Sequence, residues 1–294
     1  IRDFFGLPHC TFQAVDLMKP AARAAVESYD LVLAFAVYDH LVDRHKEVTP
    51  PEREQNYLDI TEWMARIARR DLIVEFHNKQ MPWARFYEDL LVEHGFEIAD
   101  RKITRIERPV FFCRRGPHAH DELEIAGQVY RRLRSWRKRE RRLYEVEQGG
   151  RRFLVKRYSY HDLQAGRQPE QEFHILKAFA DVPEVVQPVA FDARRLVLPF
   201  VEAQPVEVID EQPLQAATLS DPAQRYRVVQ AMARVLAAYH QRRESLFQQF
   251  AAAIPERYRE EVRTGKRLLV DLCRSNILVT PDGQVRFGDF EPSK

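Results

Sequence analysis

Residues 141–158, RRLYEVEQGGRRFLVKRY, constrain this chain more than any other stretch. Two strand-like runs meet at Gln148-Gly149-Gly150, and glycines supply the left-handed backbone that a tight hairpin turn requires. The second half of the chain must therefore hold two neighbouring antiparallel strands, the second carrying Lys156. A further strand, QVYRRLRS, precedes them. A helix from about Pro169 to Ala180 follows, then the strand pair VVQPVAF and RLVLPFV, then a strongly periodic helix, RYRVVQAMARVLAAYHQRR.

The first half has a different rhythm. CTFQAV, YDLVLAFAV, DLIVEF, FEIADRKITRI and RPVFFCRR read as strands rich in β-branched and aromatic residues. EREQNYLDITEWMARIARR and PWARFYEDLLVEHG, between them, have helical spacing, the second closing on Gly95 as a C′ glycine. Strand–helix alternation ending in two adjacent strands predicts an α/β sheet finished by an antiparallel hairpin. The seam falls at RRGPHAHDE. Domains are expected over 1–115 and 128–294, with a linker at 116–127.

Apolar content of 45% with 31% charged residues suits globular domains with real cores and excludes a disordered chain. The longest apolar run, LVLAFAVY, is too short to span a bilayer. Cys10, Cys113 and Cys273 have no CxxC spacing, which argues against a zinc ribbon or disulfide framework and for a reducing, cytoplasmic setting. A net charge of only +2 gives no global field for nucleic acid. The basicity is local, eight Lys or Arg within the twelve residues from Arg131 to Arg142.

Phosphoryl transfer needs a cation on the nucleotide phosphates, oxygen ligands for Mg²⁺ and a base to orient the acceptor hydroxyl. The second half offers each in order: Lys156 in FLVKRY, Glu172 in EQEFHILKAF, Asp271 and Asn276 in DLCRSN, and Asp289 in FGDFE. This series resembles the protein-kinase-like fold. The resemblance implies that Lys156 binds ATP and pairs with Glu172, with Ile175 and Leu176 facing the core. It further implies that Asp271 is the catalytic base and that Asn276 and Asp289 are the Mg²⁺ ligands. The linker LVLPFVEAQP then offers Phe200, Val201 and Glu202 for adenine, while Pro199 lacks an N–H and could only accept.

Three departures from protein kinases point to a small-molecule or glycan acceptor. RLLVDL lacks the histidine and arginine that precede the catalytic aspartate. Asp289-Phe290-Glu291 replaces DFG, as in the aminoglycoside, choline and lipopolysaccharide-sugar kinases. The segment between His240 and Asp271 is also long. The phosphate loop, WRKRE, contains no glycine. Its functional reading gives Arg137, Lys138 or Arg139 direct phosphate contacts; the simpler one is a solvated hairpin surface or an electrostatic contact with anionic membrane.

The first half resembles the later strands of class I S-adenosylmethionine-dependent methyltransferases. Asp30 opens the fourth-strand match YDLVLAFAVYDHLV, with His40-Leu41 after it, and Asp16 ends the third in CTFQAVDL. The resemblance implies that Asp16 and Asp30 contact S-adenosylmethionine. The glycine-rich turn that cradles the methionine portion of this cofactor has no counterpart here. The expected fold is thus a partial Rossmann-like α/β sheet followed by an α+β kinase-like domain, truncated at both ends and inactive as it stands.

Methyltransferase followed by kinase is the order of the bifunctional enzymes that terminate bacterial O-antigen polysaccharides, which act at the cytoplasmic membrane face. By this resemblance the chain is an ATP- and Mg²⁺-dependent transferase of lipopolysaccharide biosynthesis. The alternatives are a pseudokinase-type binding module with a degenerate methyltransferase half, favoured by the glycine-free loop, and a protein kinase.

Overall fold

The computed structural model describes residues 20–35, 50–75, 90–104, 108–116, 121–138, 141–158, 163, 168–207, 216–217, 219–252, 254 and 256–288. The chain divides into two compact units, Ile1–His120 and Asp121–Lys294.

The first unit holds a four-stranded sheet ordered β1-β2-β4-β3, from β1 (Tyr29–Ala34), β2 (Ala68–Glu75), β3 (Phe96–Ile103) and β4 (Pro109–Arg115). β1 and β2 run parallel, joined by a connection that contains helix α2 (Pro50–Ile67); a short helix α1 (Pro20–Ala24) precedes β1. β4 runs antiparallel to both β2 and β3, so the last strand inserts between its predecessors. This is the expected α/β sheet with a reversed terminal hairpin. The helix expected to run through Arg70 stops at Ile67, because β2 begins at once with Ala68, a fully buried residue paired to Tyr29.

Arg115 staples this unit at the end of β4. Its guanidinium donates to the carbonyls of Ala65, Ala68 and His94 and lies 4.2 Å over the Phe96 ring. One cation thus meets the closing carbonyls of α2 and of the helical residues 90–93, where helix-end partial charge is negative. Gly95 follows with φ 82°, the left-handed value of a C′ glycine.

The second unit is built on a six-stranded sheet ordered β5-β6-β7-β8-β10-β9, antiparallel throughout. Its strands are β5 (Glu122–Ile125), β6 (Gln128–Lys138), β7 (Arg141–Gln148), β8 (Arg151–Arg157), β9 (Ala190–Phe191) and β10 (Arg195–Pro199). β5 lies inside the stretch expected as linker. Its Glu-Leu-Glu-Ile alternation buries Leu123 and Ile125, and it turns into β6 through Ala126 and Gly127, both at positive φ. The strand expected over VVQPVAF shrinks to two residues. Val185 makes only an isolated bridge to Phe287, the Val186 N–H goes to the Phe287 carbonyl, and Pro188 has no N–H to give.

Helix α3 (Pro169–Lys177) begins with proline at its first turn and buries Glu172, Ile175 and Leu176. Helix α4 (Pro222–Phe250) is capped by Asp221, which accepts the Ala223 N–H at 2.9 Å, a cap worth about 1 kcal/mol. Val228, Ala231, Val235, Ala238 and Tyr239 form its buried stripe. After α5 (Glu256–Thr264), a three-stranded sheet joins β11 (Gln204–Pro205), β12 (Ile277–Val279) and β13 (Val285–Phe287). A single core cluster runs from Ile175 and Leu176 through Val235 and Tyr239 to Leu269, Val270 and Ile277. No helix among the described residues is long and apolar enough to cross a membrane.

Two turn glycines with similar backbone make a test of local packing. Gly150 (φ 73°) faces open space, so Gly150→Ala should cost about 1–2 kcal/mol for left-handed backbone alone. At Gly283 (φ 78°) an added Cβ would also sit 3.0 Å from Gln224 Oε1 and 3.2 Å from Arg227 Nη2. Gly283→Ala should therefore be the more destabilising of the two in urea denaturation.

Candidate active site

Lys156 sits on β8, an interior strand, opposite Leu143 of β7 and Leu196 of β10. Directly opposed side chains share a face, so this face of the sheet is apolar around one ammonium. With 4% of its side chain exposed, the lysine needs a counter-charge, and α3 supplies it: Nζ donates to Glu172 Oε2 at 2.6 Å. The Tyr158 hydroxyl donates to the same oxygen. Tyr158 lies two residues beyond Lys156 and so returns to the same face; that period was the available sequence signal for it.

The stretch 271–276 closes on itself. Asp271 Oδ1 accepts the Cys273 N–H at 3.2 Å, and Asn276 Nδ2 donates to the Asp271 carbonyl at 3.0 Å. The Asn276 N–H reaches the Cys273 carbonyl at 2.9 Å through a 3-10 turn, Arg274–Asn276. Asp271 is half-buried while Ser275 and Asn276 are buried, so the loop is pinned by its far end. Its approach is held from α4, where the Tyr239 hydroxyl accepts the Leu269 N–H at 3.4 Å. Burial pushes the Tyr239 phenol up, while the Leu269 N–H acts in the opposite direction. Nothing in the periodic pattern of α4 separates Tyr239 from an ordinary core residue.

The linker after β10 departs from expectation in one respect. The Phe200 N–H donates to the Arg152 carbonyl at 3.1 Å, so this amide is committed to β8 and not to a ligand. Val201 is half-buried and Glu202 exposed. The Arg152 guanidinium lies 4.1 Å over the Phe200 ring, and its Nε donates to Glu145 Oε1 at 2.6 Å. Arg134 bonds the other oxygen of Glu145, whose side chain is only 4% exposed. One buried carboxylate thereby ties β6, β7, β8 and the linker together. Sequence reading missed this knot because each of its members alone looks like a surface charge.

The glycine-free hairpin is paired to its tip, Lys138 facing Arg141, so only residues 139–140 connect β6 to β7. Asp16, His40-Leu41 and Asp289 lie outside the described residues; β13 ends at Phe287, two positions before Asp289. In the first unit Asp30 is on β1, its side chain 71% exposed and 3.4 Å from Arg69 Nε. Among the described residues no group of three or more His, Cys, Asp or Glu could hold a metal.

An antiparallel sheet carrying a buried Lys–Glu pair to a helix, followed by a helical segment and a hydrogen-bonded Asp–Asn loop, defines a kinase-like fold. The model of the phosphotransferase enzyme family matches residues 130–280, more than half of the chain, and the chain belongs to that family. No curated protein matches. Among solved structures, the chain is similar to WbdD at 15% identity and TM-score 0.43, covering 92% of this chain and 57% of that one. It is also similar to the magnesium protoporphyrin IX methyltransferase of Synechocystis PCC 6803, at 25% identity and TM-score 0.25, over 32% of this chain and 42% of that one. A spectinomycin phosphotransferase shares 15% identity and TM-score 0.27, over 56% and 65%. The chain thus spans less than two thirds of the length of each.

Removing one partner of a buried ion pair strands the other charge, a loss of about 3–5 kcal/mol. Glu172→Ala should lose stability on this scale in urea denaturation. In a double-mutant cycle, Lys156→Ala with Glu172→Ala should cost clearly less than the two single changes summed.

Proposed function

We propose that the second unit transfers the terminal phosphoryl group of ATP to a hydroxyl of a glycan or other small molecule, and that the first unit is part of an S-adenosylmethionine-dependent methyltransferase. The carrying observation is that one family-matched unit holds both the buried Lys156–Glu172 pair and the Asp271–Asn276 loop on a continuous core.

In this reading Glu172 and Tyr158 fix Lys156, which binds the nucleotide phosphates as a point charge. Asp271 accepts the proton of the acceptor hydroxyl as the new O–P bond forms and the bond to the leaving ADP breaks. The Asn276 amide nitrogen donates to the Asp271 carbonyl, and its side-chain oxygen would be the hard donor for Mg²⁺. Asp289 would supply the second ligand. The metal, when bound, offsets the charge on the transferring group. The backbone of Val201 and Glu202 would meet adenine, with Phe200 packed beside them.

In the first unit, Asp30 is exposed and paired with Arg69. The proposed setting is the cytoplasmic face of a membrane, as for enzymes of lipopolysaccharide biosynthesis, with the stretch 131–142 against anionic lipid. Within that stretch Arg131 and Arg134 pair with Glu147 and Glu145.

Asp271→Ala should lower phosphoryl transfer from ATP to a sugar acceptor by roughly 10²–10⁴-fold, the usual worth of a positioned base, with nucleotide binding retained. Asp289→Ala should abolish transfer together with Mg²⁺-dependent nucleotide binding. Undiminished turnover in both variants would sink the assignment. Mg²⁺-dependent nucleotide binding with no transfer to any sugar or peptide would identify a binding module, and transfer to a generic peptide alone a protein kinase.

A further inference from the structure

A groove of about 400 Å³ lies between the first turns of α4, the β12–β13 turn and the connection from α3 to β9. Arg227 and Arg234 line it from α4, Arg286 from β13, and Glu184 and Asp282 supply its acids. Arg227, Ala231 and Arg234 are spaced three and four residues apart, so they stand on one face of the helix.

The three guanidiniums are held in different ways. Arg234 is neutralised, its Nε donating to Glu184 Oε1 at 2.6 Å. Arg227 donates through Nε and Nη2 to the amide oxygen of Gln224, at 3.1 and 2.8 Å. Arg286 donates to the amide oxygen of Gln284 and to the Val285 carbonyl. Those acceptors are uncharged, so they fix both forks while leaving their positive charge in place. The nearest carboxylate to Arg227 is that of the capping Asp221, 3.9 Å away and more than half exposed. Asp282, bonded to the uncharged Thr280 and Gln284, likewise keeps its charge, so three guanidiniums stand against the Glu184 and Asp282 carboxylates in the lining.

The floor is equally fixed. Gln224 Nε2 donates to the Gly283 carbonyl at 3.3 Å, and Gly283 approaches Arg227 so closely that a Cβ would meet its guanidinium. Glu184 accepts the Phe287 N–H through its carbonyl at 2.8 Å, tying the opposite wall to β13. Each guanidinium offers five N–H donors in a planar fork, and two or three neutral contacts leave donors for a further acceptor. Two such forks on neutral anchors in a concave site fit a phosphoryl oxyanion, which takes bidentate bonds from arginine.

We infer that this groove is an anion site for phosphoryl groups, built by Arg227 and Arg286 and separate from the nucleotide cleft. Free phosphate and an organic phosphate monoester share the required chemistry.

The test is the thermal stability of the full chain in rising inorganic phosphate at constant ionic strength, set by sodium chloride. Phosphate should raise Tm in the unsubstituted protein and equally in Lys156→Ala with Glu172→Ala, which removes the cation of the nucleotide cleft without stranding a buried charge. In the double variant Arg227→Gln with Arg286→Gln, half-saturation should move to at least tenfold higher phosphate. Arg286→Gln alone, which leaves the α4 contacts intact, should move it several-fold. Glycerol 3-phosphate in place of phosphate distinguishes the sources: tighter binding assigns the site to an organic ester, equal binding to the free anion. The inference is overturned by no phosphate response in the unsubstituted chain, by equal responses in it and the Arg227→Gln with Arg286→Gln variant, or by a response lost in Lys156→Ala with Glu172→Ala.

Discussion

The buried ion pair between Lys156 and Glu172 organises the second unit. An ammonium at 4% exposure on an interior strand is tolerable only with a counter-charge in direct contact, so α3 cannot drift from β8 without stranding it. The sheet face, the start of α3 and the placement of Tyr158 follow from that constraint. Such a pair adds little net stability compared with apolar packing, because desolvating two charges consumes most of the attraction. What it supplies is position: a cation held at one place on a rigid strand.

A second knot governs the other end of the same sheet. Glu145 receives Arg134 from β6 and Arg152 from β8, and Arg152 covers the Phe200 ring. The linker is therefore gripped by the strands above it through one carboxylate and one guanidinium. The β6–β7 hairpin is tied across its strands by the same charge cluster.

Much of this architecture was legible in the sequence, for identifiable reasons. The hairpin turn at Gly149-Gly150 has φ values of 56° and 73°, which glycine adopts without strain. The α4 stripe repeats every three or four residues, and the proline at the start of α3 marks a helix N-terminus. The Lys156–Glu172 contact was implied by the kinase resemblance, which puts a lysine on this strand and a glutamate on the helix that follows. β5 was missed because four residues between two turns resemble a linker until a partner strand is known to lie beside them. The Glu145 knot and the arginine groove depend on which distant strands and helices meet, and pairwise charge spacing along a chain does not encode that. Pro188 was underweighted: a residue without an N–H cannot donate to a neighbouring strand, which confines proline to strand ends, edges and bulges.

The edges of the six-stranded sheet carry a consequence of their own. One edge is β5, four residues long with Glu122 and Glu124 in it; the other is β9, only two residues long. Unpaired strand edges are templates on which another chain can add, and short or charged edges are poor templates. Of the long strands, which would nucleate cross-β association if left bare, β7 and β8 are interior, while β5 covers β6 over Gln128–Arg131. The small strand overlooked in the linker thus acts as an end-stop over the first residues of β6.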